Sequence, residues 1–351
     1  MTPDDDLKFM RRCLDLAIKA EGMTYPNPMV GAVVVNNGSI IGEGYHLKSG
    51  GPHAEVMAIE SVTDKSLLAS SVIYVNLEPC SHYGKTPPCA DLIISKGIPA
   101  VVAGTADTSP KVAGRGIAKL RDAGCDVKVG IAEEECRWIN RRFFTFQEKK
   151  RPYIILKWAQ SSDGFIDVNR SSYRGSGPVW ITGSAEKILV HRWRASEQAV
   201  LVGAATVRTD DPLLNVREWY GNNPVRLILS GSGLLPEKPA MSSVIGSQVI
   251  FTFYPEKVNQ PGSVVLKLNN RESSASQIVE YLYQWGIQSL FIEGGAKVLN
   301  HFILNGLWDE ARIFYGRQKF TDGVRAPELG GKLFREQEFA GSSLRIILNS
   351  L

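Results

Sequence analysis

Two short segments gather residues whose types could do hydrolytic chemistry: GGPHAEVMA, with His53 and Glu55, and EPCSHYGKTPPC, with Cys80 and Cys89. One imidazole and two thiols are zinc-type donors, and three protein ligands leave the fourth tetrahedral position open, the mark of a catalytic zinc. A bound zinc, one per chain, would lower the pKa of water from about 15.7 towards 7. Glu55, two residues from a ligand in the same helical turn, would carry a proton from that water to a ring nitrogen and then to a departing amine. The competing readings are a structural zinc knuckle or two buried thiols. His82 is a rival ligand, but Cys-x-His crowds one metal, so it reads as a substrate contact. Zinc is expected over iron because His plus two thiolates suits it.

Elements must deliver these groups. Pro52 precedes His53 and Pro87-Pro88 precede Cys89, so both should open helices, where partial positive charge favours a thiolate. Cys80 follows an apolar strand over 72–77, at the carboxyl end where ligands bind in open α/β sheets. The spacing of Phe9, Cys13, Leu16, Ala17 and Ala20 predicts a helix over 5–20, and Asn37-Gly38 a tight hairpin. Further strands are expected at 100–104 and 126–130, with helices at HAEVMAIESV, CADLIISKG and 115–123. That alternation implies a three-layer α/β domain on a mixed sheet. QEKKRP, residues 147–152, reads as a linker, which divides the chain into 1–147 and 148–351.

The second part opens with YIILKWA and again alternates strands (AVLVG, VRLILS, QVIFTF, SLFIE) with helices, while 231–263 reads mainly as long loops. No G-x-G-x-x-G opens a helix after the first strand. Gly294-Gly295 lies between SLFIE and AKVLNHFILNG, where a phosphate could approach a helix N-terminus or the chain could simply turn. Arg194 and Arg217 carry planar forks suited to a phosphate, or are ordinary surface arginines. Lys157 is either a polar group near a reacting centre or an edge-strand charge.

The bulk numbers exclude several classes. At 351 residues, two domains are expected, and 44% hydrophobic with 22% charged residues is a soluble composition. No run of about eighteen apolar residues suggests a membrane span. The start, MTPDDDLKFMRRC, lacks the layout of a secretory signal, which points to the cytoplasm. Five cysteines, an odd number, argue against a disulfide framework. A net charge of +4 without a basic run beyond Lys149-Lys150-Arg151 does not fit a nucleic-acid binder. A small phosphorylated substrate would account for the excess.

TYPNPMVGAVVV, GEGYH, GGPHAEVMA, LEPCSHYGKTPPC and VAGRGIAKLRDAG resemble the bifunctional riboflavin-biosynthesis deaminase–reductases of bacteria. So do KWAQSSDGFID, WITG, HRWRASEQAVLVGAATVRTDDPLLNVR and FIEGGAKVL, although the resemblance thins after about Lys319. It implies a cytidine-deaminase-like domain followed by a dihydrofolate-reductase-like domain. The first would deaminate 2,5-diamino-6-(5-phosphoribosylamino)pyrimidin-4-one, and the second would reduce the ribosyl group of the product with NADPH. Asn27 would then bind the pyrimidine, with His46, His82, Lys85 and Thr86 around the base and ribose phosphate. NADPH contacts would fall on Ala159, Trp180, Thr206, Asp210, Gly295, Ala296, Lys297 and Val298, and substrate contacts on Arg194, Leu214, Arg217 and Glu293. The family also implies a homodimer through the reductase domains. Eight residues separate the two cysteines, as in the diaminopyrimidine branch and unlike the two-residue spacing of cytidine and transfer-RNA deaminases. The alternatives are a nucleoside or transfer-RNA deaminase with an accessory nucleotide-binding domain, and a regulator that kept the fold without the chemistry.

Overall fold

The computed structural model describes residues 3–81, 87–109, 114–175, 177–237, 239–244 and 246–350. The chain forms two compact units, Met1–Lys150 and Arg151–Leu351. The N-terminal unit begins with α1 (Pro3–Ala17), β1 (Gly31–Asn36), β2 (Ser39–Tyr45), α2 (Ala54–Ser61) and β3 (Val72–Val75). It continues through α3 (Cys89–Ser95), β4 (Ala100–Ala103), α4 (Arg115–Asp122), β5 (Asp126–Val129), α5 (Glu133–Ile139) and α6 (Arg141–Lys149).

Its sheet runs β2-β1-β3-β4-β5, antiparallel up to β3 and parallel from β3 to β5. Asn37 and Gly38 both take positive φ, 47° and 74°, as the tight turn between β1 and β2 demands. Alternation along the strands buries both faces. Ala32, Val34, Ile73, Val75 and Val101 pack against Ala58, Ile59 and Ile93 of α2 and α3, while Val33, Val35, Tyr74 and Val102 pack against Phe9, Met10, Cys13 and Leu16 of α1.

The stretch expected to be a linker is helical as far as Lys149. Its charges conceal an amphipathic helix: Phe143 and Phe144 are buried, and the Arg137 guanidinium lies 4.2 Å from the Phe144 ring centroid while donating to Glu148. The first helix ends in a short 3₁₀ turn at Ile18–Ala20.

Beyond β3, the buried carboxylate of Glu78 accepts four backbone N–H groups. Oε2 takes those of Asp107 (3.1 Å) and Gly114 (2.9 Å), and Oε1 those of Gly116 (2.8 Å) and Ile117 (3.3 Å). It thereby satisfies the first turn of α4, which has no side-chain cap of its own, and ties the loop after β4 to the segment leading to Cys80.

The C-terminal unit contains β6 (Tyr153–Gln160), β7 (Phe165–Val168), α7 (Ser184–Ser196), β8 (Ala199–Gly203), α8 (Ala204–Asp210) and β9 (Val225–Ser230). Then follow β10 (Gln248–Thr252), β11 (Val264–Lys267), α9 (Ser274–Gln284), β12 (Ser289–Ile292) and α10 (Ala296–Leu304). The last strands are β13 (Glu310–Gly316), β14 (Gly323–Arg325), β15 (Lys332–Glu338) and β16 (Ser342–Leu348).

Nine strands form one sheet in the order β11-β10-β9-β8-β12-β6-β13-β16-β15, and β7 pairs separately with β14. The strands from β11 to β13 are parallel, and β16 and β15 join antiparallel. Because β6 is internal, the edge-strand reading of Lys157 is overturned. On α7, His191 is 1% exposed and its Nδ1 accepts the Arg217 N–H at 3.4 Å. Among the described residues no helix is long and apolar enough to cross a membrane.

Two predictions arise from this packing. A Cβ at Gly116 would run into the Pro79 carbonyl oxygen, so Gly116→Ala should destabilise the N-terminal unit by about 2 kcal/mol or more, read from its denaturant midpoint. In the other unit, burial and the nearby Arg194 and Arg217 hold the His191 imidazole down to about 4. The unfolded chain takes up that proton near pH 6.5, so below this value the unfolded state binds more protons. Stability should therefore fall from pH 6.5 towards 4 by about 1.4 kcal/mol per pH unit from this group. His191→Gln should flatten that part of the profile, and an unchanged slope would refute the assignment.

Candidate active sites

In the N-terminal unit three elements deliver the donors. His53 is the N-cap residue of α2, Cys89 opens α3 behind Pro88, and Cys80 sits on the segment beyond β3. His53 Nδ1 lies 3.5 Å from Cys80 Sγ and 3.3 Å from Cys89 Sγ, and all three donor atoms fall within 4.8 Å of one another. A tetrahedral zinc with Zn–S of about 2.3 Å and Zn–N of about 2.0–2.1 Å spaces its donors about 3.5–3.8 Å apart, so the set fits that ion. The backbone supports it: the Cys89 N–H donates to Cys80 Sγ at 3.3 Å, and the Ala90 N–H to the Cys80 carbonyl at 3.1 Å. Hydrogen bonding from Cys89 and His53 lowers the Cys80 pKa, while the Cys89 thiol, which keeps the proton that the pair shares, is raised. Glu55 is 3% exposed in the first turn of α2, and burial, with Cys80 nearby, pushes its carboxyl up to about 7.

Asn27 and His46 meet beside these ligands. Asn27 Nδ2 is 3.1 Å from His46 Nε2, His46 Nδ1 is 2.9 Å from the Pro52 carbonyl oxygen, and the His46 and His53 rings meet edge to face at 5.6 Å. Two asparagines hold the loop that carries Asn27. Asn140 accepts the Met29 N–H and donates to the Met29 carbonyl, while Asn76 donates to that carbonyl and accepts the Gly31 N–H. Sequence reasoning missed Asn76, Glu78 and Asn140. The first two were within view, in NLE directly before the Pro-Cys pair, but the partner of Asn140 lies 111 positions away. His82, Lys85 and Thr86 lie outside the described residues.

In the C-terminal unit a cleft of about 980 Å³ opens at the carboxyl ends of β6, β8 and β12. It brings together the positions expected to meet a dinucleotide: Ala159, Trp180, Thr206, Asp210, Gly295, Ala296, Lys297 and Val298. The same cleft contains Lys157, Arg194, Leu214, Arg217 and Glu293. Gly294 and Gly295 take φ of 125° and 56°, a turn open to glycine that leads directly into α10. Such a junction, at the mouth of a cleft this size, fits a pyrophosphate at a helix N-terminus.

The expected phosphate fork of Arg194 is engaged elsewhere. Its Nε and Nη2 both donate to Glu293, the latter at 2.8 Å, and Nη1 donates to the Asn215 carbonyl at 3.2 Å. Arg217, by contrast, is exposed, with Nη1 donating to Asn215 Oδ1 at 2.9 Å. Lys157 is half-buried, and burial lowers its pKa against the opposing pull of Glu293. Asp211 and Leu214 both adopt the left-handed region, φ 39° and 50°. Sequence reasoning also missed His191, Ser274 and His301, which line the same cleft.

Residues 3–105 match the family described as the cytidine and deoxycytidylate deaminase zinc-binding region, and residues 152–317 match the RibD C-terminal domain. The chain is 39% identical to the riboflavin biosynthesis protein RibD of Aquifex aeolicus, across 96% of this chain and 94% of that protein. It is 38% identical to RibD of Bacillus amyloliquefaciens, across 92% and 86%. Among solved structures it resembles a diaminohydroxyphosphoribosylaminopyrimidine deaminase/5-amino-6-(5-phosphoribosylamino)uracil reductase from Thermotoga maritima, with TM-score 0.89, 38% identity and 99% of both chains covered. Acinetobacter baumannii RibD gives TM-score 0.89 at 30% identity over 100% of both chains. With its zinc-type donor set in one unit and its dinucleotide-sized cleft in the other, the chain belongs to the RibD family of riboflavin biosynthesis, bifunctional enzymes that join a zinc-dependent deaminase to an NADPH-dependent reductase.

Proposed function

We propose that residues 1–147 hydrolytically deaminate 2,5-diamino-6-(5-phosphoribosylamino)pyrimidin-4-one, and that residues 148–351 reduce the ribosyl group of the resulting 5-amino-6-(5-phosphoribosylamino)uracil. The observation that carries the first assignment is the meeting of His53, Cys80 and Cys89 within 4.8 Å. His53, Cys80 and Cys89 would hold a zinc ion, whose chemistry would be to lower the pKa of a water molecule at the amidine-like carbon. Glu55, buried and two residues from His53, takes a proton from the attacking water and passes it to the ring nitrogen and then to the leaving amine. C–O bond formation and C–N cleavage release ammonia. Asn27 holds the ring, and His82, Lys85 and Thr86 complete the base and phosphate contacts.

Bound in the cleft, NADPH would supply the hydride for the ribose carbon, and the ribose ring oxygen would take up a proton as the ring opens. Thr206, Asp210, Ala159, Trp180 and the turn at 295–298 hold the cofactor. Arg217 meets the substrate phosphate beside Leu214, while Arg194 and Glu293 act as a locked pair at the ribose. Lys157 stands beside that pair as the cation that steadies the opening oxygen. We further propose a cytoplasmic homodimer joined through the reductase units, acting on small phosphoribosyl pyrimidines and not on nucleic acid. The wide scatter of Lys and Arg supports the choice of a small substrate.

A coupled assay tests both halves. Ammonia release from the diaminopyrimidine ribotide should fall at least about 100-fold in Glu55→Gln, while NADPH oxidation with the deaminated product persists. Full ammonia release in that variant would remove Glu55 from the chemistry. Lys157→Met should show the opposite pattern, with NADPH oxidation reduced at least about 100-fold and ammonia release unchanged. Equal loss of both activities in either variant would contradict two separate sites.

A further inference from the structure

The contact between Asn27 and His46 has a polarity that can be read from one end, and the reading deepens the deaminase proposal on which it rests. The Pro52 carbonyl can only accept, so His46 Nδ1, 2.9 Å away, carries the ring proton. In the neutral ring Nε2 is then an acceptor, so the Asn27 atom 3.1 Å away donates, as an amide nitrogen does. A flipped amide would set its oxygen lone pairs against those of Nε2. With Nδ2 committed, Oδ1 is the remaining polar atom of the side chain, it can only accept, and no described residue donates to it.

The surroundings hold this arrangement at the metal site. The His46 ring meets that of the ligand His53 at 5.6 Å, and Pro52 immediately precedes that ligand. Two residues beyond Asn27, the Met29 N–H and carbonyl are both bound by Asn140, which fixes the loop. His46 itself is 3% exposed, with both ring nitrogens engaged by Pro52 and Asn27, so neither is left for a substrate.

We infer that His46 is a positioning residue whose tautomer fixes the Asn27 carboxamide with its oxygen available, so that the deaminase site selects a pyrimidine whose facing edge carries an N–H donor and disfavours one carrying a carbonyl there. Sequence reasoning placed His46 among the substrate contacts. The geometry gives it a different task, setting the sign of the contact that Asn27 makes.

The test uses the full zinc-loaded chain with histidine selectively labelled with nitrogen-15; the chain has five histidines. The His46 signal is identified by its loss in His46→Gln, and it should report the Nδ1–H tautomer. Ammonia release from the diaminopyrimidine ribotide is then measured for wild type, His46→Phe and His46→Gln, with zinc content determined for each. His46→Phe should raise KM by at least about 10-fold with kcat changed less than about threefold and zinc retained. His46→Gln, which offers both an acceptor and a donor, should recover most of the KM loss. An Nε2–H tautomer, an unchanged KM in His46→Phe, or a fall in kcat alone would overturn the inference. If His46→Phe does not fold or loses zinc, the tautomer and His46→Gln decide. Absence of ammonia from wild type would refute the deaminase assignment instead, and the tautomer alone would then decide the role of His46.

Discussion

A helix begins with backbone N–H groups that its own turns cannot satisfy. Parallel strands connected by helices collect those beginnings along one edge of a sheet. Both sites of this chain lie on such an edge, and each meets the constraint in a different way. In the N-terminal unit one of the groups that answer it belongs to the candidate metal set. Glu78 accepts the first N–H groups of α4, and the Cys80 sulfur accepts that of Cys89 at the start of α3. A member of the candidate metal set thus also accepts a helix's first N–H, so local folding and site geometry are solved by the same atoms. In the C-terminal unit the answer is a pair of glycines that brings the backbone close to the cleft at the start of α10.

Charge inside the second sheet follows a different logic. Lys157 and Arg312 are register partners on β6 and β13, which places two cations side by side on one face. Arg312 is held by Glu310 at 2.6 Å and lies 4.7 Å from the Trp193 ring centroid, and Glu310 also accepts the Tyr153 hydroxyl at 3.1 Å. Glu293, tied to Arg194, is the carboxylate that faces Lys157. Paired charges in such a place are seldom more stabilising than apolar residues of similar volume, because desolvation offsets their attraction. Of these charges Lys157, Arg194 and Glu293 line the cleft, where perturbed ionisable groups are candidates for chemistry.

How much was legible depended on whether the signal was local. His53, Glu55, Cys80 and Cys89 announce themselves by residue type and by the prolines before the ligands. Asn37-Gly38 fixes its hairpin in two letters. The helix at Arg141–Lys149 was hidden because charged residues on one face resemble a linker when read along the chain, while Phe143 and Phe144 on the other face supply the burial. Lys157 was ambiguous because strand order is not written in a strand; only β12 and β13 on either side make it internal. The engagement of Arg194 by Glu293 joins positions 99 apart, and no spacing rule reaches that far.

Asp211 and Leu214 give the reductase cleft a further character. Neither residue is glycine, yet both hold the left-handed conformation, and each such residue costs about 1–3 kcal/mol and persists only where its surroundings enforce it. The Asp211 carboxylate takes the Ala240 N–H at 2.7 Å, and the Leu214 side chain is buried, so the enforcement can be seen. Glycine would relieve the strain but return less than it removes, because at 214 it empties a buried leucine site and at 211 it loses the bond to Ala240. The segment that lines this side of the cleft is therefore kept rigid by its own packing, with the local strain carried as the cost of that rigidity.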